Sequence, residues 1–447
     1  MAPLPMKPLL LFFFTFICLS PPSVNAFETL KLEDCIREAS LNNPDLLSAK
    51  LDYEKAIFEY KKSYSNFLPE ISLFTTYRRQ FNQSPFSNTI SSTSSTSNSN
   101  NTSTTNSNSG SPYSNQYSIG VNANQNLFAG LRDKNQLKSL DLNVKVSVQT
   151  LRDKKLQISY ELANAFIETL YSQLLINLLE EIQKRRLLNK KLVQLYYEGG
   201  KEHRGNYELS EAGLKLAEYE LELAKRNLII NLADLSRVLG KKPGGTFKLQ
   251  GELIPKSELN IPDYEILASS HPIILSEVYK MRMARLAVDT AESQFYPELN
   301  LSLSASQRDT DWFPKKKSMY YSLSFEYPLF RGGKDYYNVR INQTLYRQSI
   351  QSYRSKKNQL LFDLEKSYQS FLVLSEKIKV LEKYLEASSL RAKIARVQYS
   401  NGLLRFENWD IIESDVIQRQ KNLLTGQKEA SLAEYIWKKN KGESLIP

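Results

Sequence analysis

The most regular pattern along the chain is a helical spacing of apolar residues in two very long segments. Residues 131–198 contain neither proline nor glycine, and as one helix they would extend about 100 Å. Their apolar positions include Ile158, Leu162, Phe166, Leu170, Leu174 and Leu178, with Leu175 and Leu179 beside them. This stripe is wider than a coiled-coil seam, so we expect the helix to pack neighbours on both flanks. A second long helix is predicted over residues 334–400.

Shorter helical segments flank the long ones. They are predicted at residues 30–66, 207–238, 263–293 and 407–439. Pro44 marks a break or restart within the first of them, because proline cannot donate a helical hydrogen bond. Glycines between Glu198 and Asn206, and again at Gly402, predict turns after which a shorter helix follows each long one.

Four other segments change to a spacing of two, which is typical of β-strands. They are residues 69–82, 113–128, 297–307 and 320–330. In the third, Leu299, Leu301, Leu303 and Ala305 alternate with Asn300, Ser302, Ser304 and Ser306. A half-buried antiparallel sheet and a transmembrane β-strand both show this alternation, so the pattern alone leaves the two open.

The chain also carries an internal tandem repeat. Phe67-Leu68-Pro69-Glu70-Ile71 returns as Phe295-Tyr296-Pro297-Glu298-Leu299, at an offset of 228 residues, and Leu127-Phe128 returns as Leu329-Phe330 at an offset of 202. The first copy therefore holds 26 extra residues, which coincide with a Ser, Thr and Asn tract at 87–111 that we expect to form a polar loop. The predicted halves are residues 27–252 and 253–447.

The N-terminus has the features of a secretory signal peptide over residues 1–26. Lys7 precedes an apolar run from Leu9 to Leu19, and Val24-Asn25-Ala26 forms a cleavage site. Lipidation at Cys18 is the alternative, although bulky residues precede it. Cleavage would leave Cys35 without an intrachain partner, so no disulfide is expected. No later segment is long and apolar enough for a transmembrane helix.

Charge and motif content argue against an enzyme or a nucleic-acid binder. The net charge is +11, but the basic residues are spread along the helices, as on solvated helix faces, and export would keep the chain from nucleic acid. The only histidines are His203 and His271, and His271 precedes Pro272, which favours a helix-start role over metal ligation. We therefore expect no catalytic site, cofactor or metal.

Export, aromatic residues near strand ends and polar loops on one side of the hairpins favour a sheet that lies in a membrane. The aromatic residues are Tyr117, Tyr320 and Tyr321. Four strands cannot close a barrel, and an open edge in lipid leaves backbone groups without partners. If the sheet spans a membrane, several chains must share one barrel.

Several motifs resemble those of the TolC-like outer membrane efflux proteins. They are Ala39-Ser40-Leu41-Asn42-Asn43-Pro44-Asp45-Leu46, the paired Phe-x-Pro-Glu segments, Leu127-Phe128-Ala129-Gly130, Leu329-Phe330-Arg331-Gly332-Gly333, and the Tyr-x-x-Gly turns at Tyr197 and Tyr399. The resemblance implies a mainly α-helical homotrimer, with one 12-stranded barrel in outer membrane lipid and an α-helical barrel in the periplasm. It implies an exit duct of a tripartite efflux pump or type I secretion system, with a periplasmic adaptor and an inner-membrane transporter as partners.

The resemblance also implies site residues at the two helix turns. The expected adaptor-docking tips are Tyr197, Gly200, Lys201, Gly402, Leu403 and Leu404, and the expected periplasmic aperture consists of Tyr399, Arg405, Glu407, Asn408 and Asp410. The two glycines would also serve as ordinary helix C-caps. The family's acidic aperture positions fall near Asn408 and Ile411, so Glu407, Asp410 and Glu413 are candidate substitutes, or else a solvated helix face. Lys201, His203 and Arg204 make the first tip unusually basic.

One alternative function stays open at this point. The long helices are equally typical of a periplasmic or surface coiled-coil scaffold whose sheet packs on protein instead of lipid. Such a scaffold would be extracted by salt or urea, whereas a membrane duct would need detergent.

Overall fold

The computed structural model describes residues 28–81, 113–244, 247–255 and 263–447. The expected signal peptide and the Ser, Thr and Asn tract at 87–111 lie outside these ranges. Within them the chain is mainly α-helical, with a small antiparallel sheet. No described helix carries an apolar stretch of the length needed to cross a membrane.

Eight helices make up most of the described chain. They are α1 Leu32–Asn42, α2 Pro44–Ser63, α3 Arg132–Glu198, α4 Arg204–Val238, α5 Tyr264–Ser270, α6 Pro272–Glu292, α7 Lys334–Ser400 and α8 Phe406–Lys441. Both long helices, α3 and α7, have 67 residues. Short 3-10 turns at Tyr64–Phe67 and Ser293–Phe295 follow α2 and α6.

Each long helix packs along two shorter helices placed end to end. An ion pair from Asp45 of α2 reaches Lys154 in the first half of α3, whereas Glu211 of α4 pairs with Lys190 in the second half. On α7, Ser352 bonds to Glu277 of α6 and Arg396 pairs with Glu413 of α8. The helices α6 and α8 also pack against α3, which joins the two halves into one bundle.

The predicted helix breaks at the two prolines have different caps. Asn43 Oδ1 accepts a hydrogen bond from the Leu46 amide at 3.0 Å, with Pro44 in the first turn. His271 Nδ1 accepts from the Ile273 amide at 3.3 Å, ahead of α6. Burial lowers the pKa of His271, and the neutral imidazole keeps the lone pair this cap requires. The predicted helix-start role of His271 is confirmed.

The main sheet contains β2 Glu70–Phe81, β3 Tyr113–Ala129, β5 Glu298–Asp309 and β6 Lys316–Glu326, in that order and antiparallel throughout. A separate parallel pair joins β1 Glu28–Leu30 to β4 Phe247–Leu249. Among the described residues, β2 and β6 each pair on one side only, so the four-stranded sheet has two open edges.

Two predicted boundaries are wrong. The last strand was expected at residues 320–330, but β6 starts at Lys316, which pairs with Arg308, and ends before Pro328. Proline lacks the N–H that a ladder requires, and the β5–β6 hairpin, whose loop is confined to residues 310–315, extends pairing at the other end. The turn after α3 was expected to include Gly205, which instead lies in the first turn of α4.

The register places odd-numbered and even-numbered residues on opposite faces of the main sheet. Leu73, Val121 and Ala305 lie in one cross-strand row, while Ser72, Asn122 and Ser304 lie in the next. The odd face is apolar and open in the single chain, with Leu73 75% and Tyr321 80% exposed. The even face carries small polar side chains, and Ser304 Oγ donates to Asn122 Oδ1 at 2.7 Å. Tyr320 is an exception, because it lies on the polar face.

The largest apolar core surrounds the parallel strand pair. It contains Leu30, Leu162, Phe166, Leu235 and Phe247, contributed by β1, α3, α4 and β4. Cys35 is buried in the same cluster, and burial raises the pKa of its thiol to about 12. Cys35 has no disulfide partner among the described residues.

The end of α4 meets the α1–α2 junction through close backbone packing. Asn43 Nδ2 donates to the Val238 carbonyl at 2.8 Å. Gly240 ends α4 with φ +76°, and a Cβ there would overlap the backbone carbonyl of Asn42. Glycine is therefore required at position 240 both by the left-handed backbone and by the contact.

We predict that Gly240→Ala lowers the free energy of unfolding by about 3 kcal/mol, combining left-handed strain with the clash. Thermal loss of helical circular dichroism in detergent measures the change. Gly213→Ala is the matched control, since Gly213 lies inside α4 and the nearest atom to an added Cβ would be Arg186 Nη1, at 3.8 Å. The control should be stabilised by about 0.5–1 kcal/mol. Equal stability of the two variants would contradict this account of Gly240.

Candidate functional site

The turn that ends α3 and the turn that ends α7 have the same hydrogen-bond pattern. Lys201 N donates to Tyr196 O at 2.8 Å, and Leu403 N donates to Gln398 O at 2.8 Å. Gly200 and Gly402 have φ values of +68° and +74°, and a Cβ on either would meet no atom within 4 Å. Both turns are Schellman caps, in which glycine is needed for its backbone conformation and not for space.

Hydrogen bonds bring the two turns together at one end of the bundle. Tyr196 Oη donates to the Ser400 carbonyl at 2.8 Å. Tyr399 Oη donates to Glu202 Oε1 at 3.2 Å. The expected tip residues of the two halves therefore form one continuous region, called here the tip region (residues 196–207 and 399–413).

The tip region contains a buried aromatic cluster. Tyr399 stacks on Trp409 with ring centroids 4.2 Å apart and planes 9° apart, and Phe406 meets both rings edge-on. Tyr399 is thus a buried core residue with its hydroxyl directed to Glu202. Burial, then the Glu202 carboxylate, raises the pKa of Tyr399, so the phenol keeps the proton that it donates.

The three candidate acidic residues have three different environments. Glu407 is exposed, and a hydrogen bond from its own backbone N–H, assisted by Arg405, lowers its pKa, so it is ionised. Asp410 Oδ1 is 2.7 Å from Arg186 Nη1 of α3, in a half-buried ion pair. Glu413 is 1% exposed and pairs with Arg396 Nη2 of α7 at 2.7 Å.

Glu413 therefore lies neither on a solvated face nor at an open surface in this conformation. Its second oxygen, Oε2, and the Trp409 Nε1 one turn earlier are both buried without a hydrogen-bond partner. Asn408 and Ile411, at the positions the resemblance marked as acidic, are exposed. Of the candidate carboxylates, Glu407 alone is exposed.

A groove of about 370 Å³ lies between the two turns of the tip region, and its lining includes Lys201, Glu202, Arg405 and Glu407. Leu403 is 77% exposed at the apex of the second turn, whereas Leu404 is half-buried. In the first turn, Tyr197 stacks on Tyr207, and the Lys201 ammonium lies 5.7 Å from the Tyr196 ring. Arg204 pairs with Glu208 along α4. The groove therefore carries both basic and acidic side chains, and the exposed Leu403 lies outside its lining.

Sequence reasoning missed the residues that hold the tip region together: Arg186, Glu202, Arg396, Phe406 and Trp409. Phe406 and Trp409 carried a usable signal, since two aromatics three residues apart at a helix start lie on one face. Arg186 and Arg396 carried none, because their partners are distant in sequence. No group of residues suited to hold a metal ion occurs within the described ranges.

Long antiparallel helices that carry a sheet with an exposed apolar face define a class of elongated membrane proteins. The sequence matches the family described as outer membrane efflux protein over residues 35–241 and 264–435. The chain therefore belongs to the outer membrane efflux protein family; it is an outer membrane protein of efflux transport and not an enzyme. The predicted family, outer membrane location and non-enzymatic class are confirmed.

Individual relatives are distant in sequence and close in fold. The chain is 19% identical to the cation efflux system protein CusC of Escherichia coli over 84% of this chain and 78% of CusC. It is 23% identical to the probable outer membrane lipoprotein SilC of Salmonella typhimurium over 49% of this chain. The matched segment covers 48% of SilC, about half of its length. A crystal structure of CusC shares the fold, with a TM-score of 0.79 and 17% identity over 95% of this chain and 96% of that chain.

The buried carboxylate of Glu413 leads to a test of the tip region. We predict that Arg396→Ala destabilises the α7–α8 contact by about 2–3 kcal/mol, because it leaves a buried charge without its partner. Trp409 emission, recorded with Trp312 and Trp437 replaced by phenylalanine, reports the loss as a red shift at lower denaturant concentration.

The matched control is Lys383→Ala on the same helix, whose ion pair with Glu386 is exposed and should have almost no effect. Adding Glu413→Gln to Arg396→Ala removes the unpaired charge and should restore most of the stability. If the double variant is no more stable than Arg396→Ala, the pair is not what stabilises this contact.

Proposed function

We propose that the chain is one third of a trimeric channel through the outer membrane. The observation that carries this proposal is the four-stranded sheet with two open edges and an exposed apolar face. In lipid, each unpaired edge group costs several kcal/mol, and pairing β6 of one copy with β2 of the next removes every open edge. Three copies would contribute twelve strands, within the known range of such barrels.

In that arrangement the odd face meets lipid and the even face lines the pore. The even face is suited to water, with Asn122 and Ser304 in one row and Ser302 in the next row of that face. On β2, Phe74 is the large apolar exception, and it lies against Gly120, where a Cβ would be 2.9 Å from the ring. Glycine at position 120 leaves room for that ring beside the pore wall.

The helices would continue the pore as a tunnel in the periplasm. At 1.5 Å per residue, each 67-residue helix is about 100 Å long, which suits a duct between two membranes better than a compact domain. The equal lengths of α3 and α7 also support the proposed tandem duplication. We infer an exit duct that receives substrate from an inner-membrane transporter through a periplasmic adaptor, in a tripartite efflux pump or a type I secretion system.

The tip region would form the periplasmic aperture and the adaptor contact. Tyr197, Gly200, Lys201, Gly402, Leu403 and Leu404 would meet the adaptor, and Tyr399, Arg405, Glu407, Asn408 and Asp410 would surround the opening. Polar contacts connect α8 to the other half: Asp410 with Arg186, Gln420 with Arg185, and Lys421 with Glu220. Such contacts exchange readily for water, whereas Ile417 of α8 also packs with Leu179 of α3 and Leu221 of α4, so separation of α8 would expose this small apolar cluster.

The first prediction separates the duct from a coiled-coil scaffold. The chain should be extracted from membranes by detergent and not by salt or urea, should run as a trimer in detergent, and should conduct ions in a planar bilayer. A monomer that dissolves fully in urea without detergent would instead identify a scaffold.

The second prediction concerns opening of the aperture. Asp410→Asn removes the ion pair with Arg186 and weakens the α3–α8 contact by about 2 kcal/mol, so conductance should rise. Arg186→Gln should also raise it, although it changes the charge in the opposite direction. Asp415→Asn is the control, because Asp415 pairs with Arg419 inside α8. Opposite effects of Asp410→Asn and Arg186→Gln would indicate a direct charge effect on the permeating ions and no change in opening.

A further inference from the structure

Charged residues of the main sheet are separated by sign along the strands. At the end where the strands join the helices lie Glu70, Glu298 and Glu326. The strand segments between the two ends, including all of β3, contain no charged residue. At the hairpin end, basic residues outnumber acidic ones by six to two. The basic residues are Arg78, Arg79, Arg308, Lys315, Lys316 and Lys317, and the acidic ones are Asp309 and Asp311.

The register divides these basic residues between the two faces. Arg78 pairs with Gln116, Ser118 with Arg308, and Arg308 with Lys316, so all three basic residues fall on the even, polar face. Gln116 and Ser118 are successive even positions of β3, about 7 Å apart, so Arg78 lies one row from the other two. Arg78, Arg308 and Lys316, called here the basic collar, line one depression of about 440 Å³.

The basic collar is incompletely neutralised within the chain. Lys316 Nζ lies 3.7 Å from Asp309 Oδ1, and Arg78 and Arg308 have no carboxylate partner among the described residues. Like charges directly opposite each other on neighbouring strands, as at Arg308 and Lys316, are destabilising unless an anion lies between them. Two of the three glutamates at the other end differ, since Glu298 pairs with Arg132 at 2.9 Å and Glu326 with Arg331 at 3.9 Å.

We propose that the basic collar is an anion-binding ring at the outer mouth of the pore, which takes phosphate-bearing or carboxylate-bearing solutes as they leave. This inference depends on the proposed trimer, in which the even face lines the pore and three collars form a ring of nine basic side chains. Side chains of one sign in a narrow aqueous mouth concentrate counter-ions locally. Arg78 and Arg308 supply planar guanidinium groups that match carboxylate and phosphate geometry.

The odd face at the same height has a different character. Tyr77 stacks on Tyr117 at 4.8 Å, and the Arg79 guanidinium lies over the Tyr113 ring at 4.5 Å. Arg79 and Lys317 occupy this face, where an aromatic girdle meets the lipid headgroups. At one height the sheet therefore carries three basic residues on the even face and two on the odd face, and the proposed trimer directs the even face to the pore and the odd face to lipid.

The test compares the collar residues with Arg79 on the other face. It uses the full-length trimer in planar bilayers and inorganic triphosphate as the probe. Triphosphate should block the wild-type current from one side only, at about 0.1 M salt, and the block should disappear at about 1 M salt, where screening shortens to about 3 Å. Arg78→Gln with Arg308→Gln should weaken the block about tenfold. Arg79→Gln removes one charge from the other face and should leave the block unchanged, whereas Arg78→Gln, which removes one charge from the collar, should weaken it.

The outcomes distinguish the collar from the channel itself. If the Arg78→Gln, Arg308→Gln double variant forms conducting trimers that triphosphate blocks as strongly as wild type, the proposed anion-binding ring is overturned. That result would leave the proposed channel standing. Equal weakening by Arg78→Gln and Arg79→Gln also overturns the ring, because the charge then acts on anionic lipid headgroups. A wild-type chain that forms no conducting trimer overturns both proposals. Lys316→Gln changes a single exposed residue of the collar and should also weaken the block. It keeps the proposal testable if the double variant does not fold.

Discussion

The structure depends on the hydrogen-bonding requirement of the backbone at the edges of one four-stranded sheet. β2 and β6 each leave one side of the strand unpaired in the described chain, and the face between them is apolar and open. In water this combination would promote aggregation, and in lipid it is tolerated only if the edges are paired. The need to close the sheet therefore leads to the proposed trimer and to a pore lined by the even face.

The helices meet a different requirement, which is to be stable as a long bundle and yet separable at one end. Around β1 and β4 the chain builds its largest apolar core, with Leu162, Phe166 and Leu235. Toward the tip region, the contacts of α8 with α3 and α4 include ion pairs such as Lys421 with Glu220. The tip region also keeps a smaller apolar cluster, in which Tyr399 of α7 packs with Phe406 and Trp409 of α8, so the polar contacts with α3 and α4 are the ones that the proposed opening would break.

Sequence reasoning was most effective where a pattern is local and repeated. The absence of proline and glycine over more than sixty residues indicated α3 and α7, and Pro44 indicated a helix break because its ring excludes the preceding hydrogen bond. It was less effective at β6, where the hairpin extended pairing to Lys316 and Pro328 ended it. At the tip region, the positions of Gly200 and Gly402 were predictable from turn chemistry, but the burial of Tyr399 and Glu413 was not.

The sequence by itself determined the lengths of the helices, the alternation of the strands and the family to which the chain belongs, because each follows from residue types at fixed spacing. Packing of the helices decided which carboxylate stays exposed. Glu407, Asp410 and Glu413 cannot be told apart by residue type and spacing. Arg186 of α3 pairs with Asp410, and Arg396 of α7 pairs with Glu413. Tertiary structure also placed Arg78 and Arg308 on one face, since register joins residues more than two hundred positions apart. Such partners are set by packing, which no local pattern specifies.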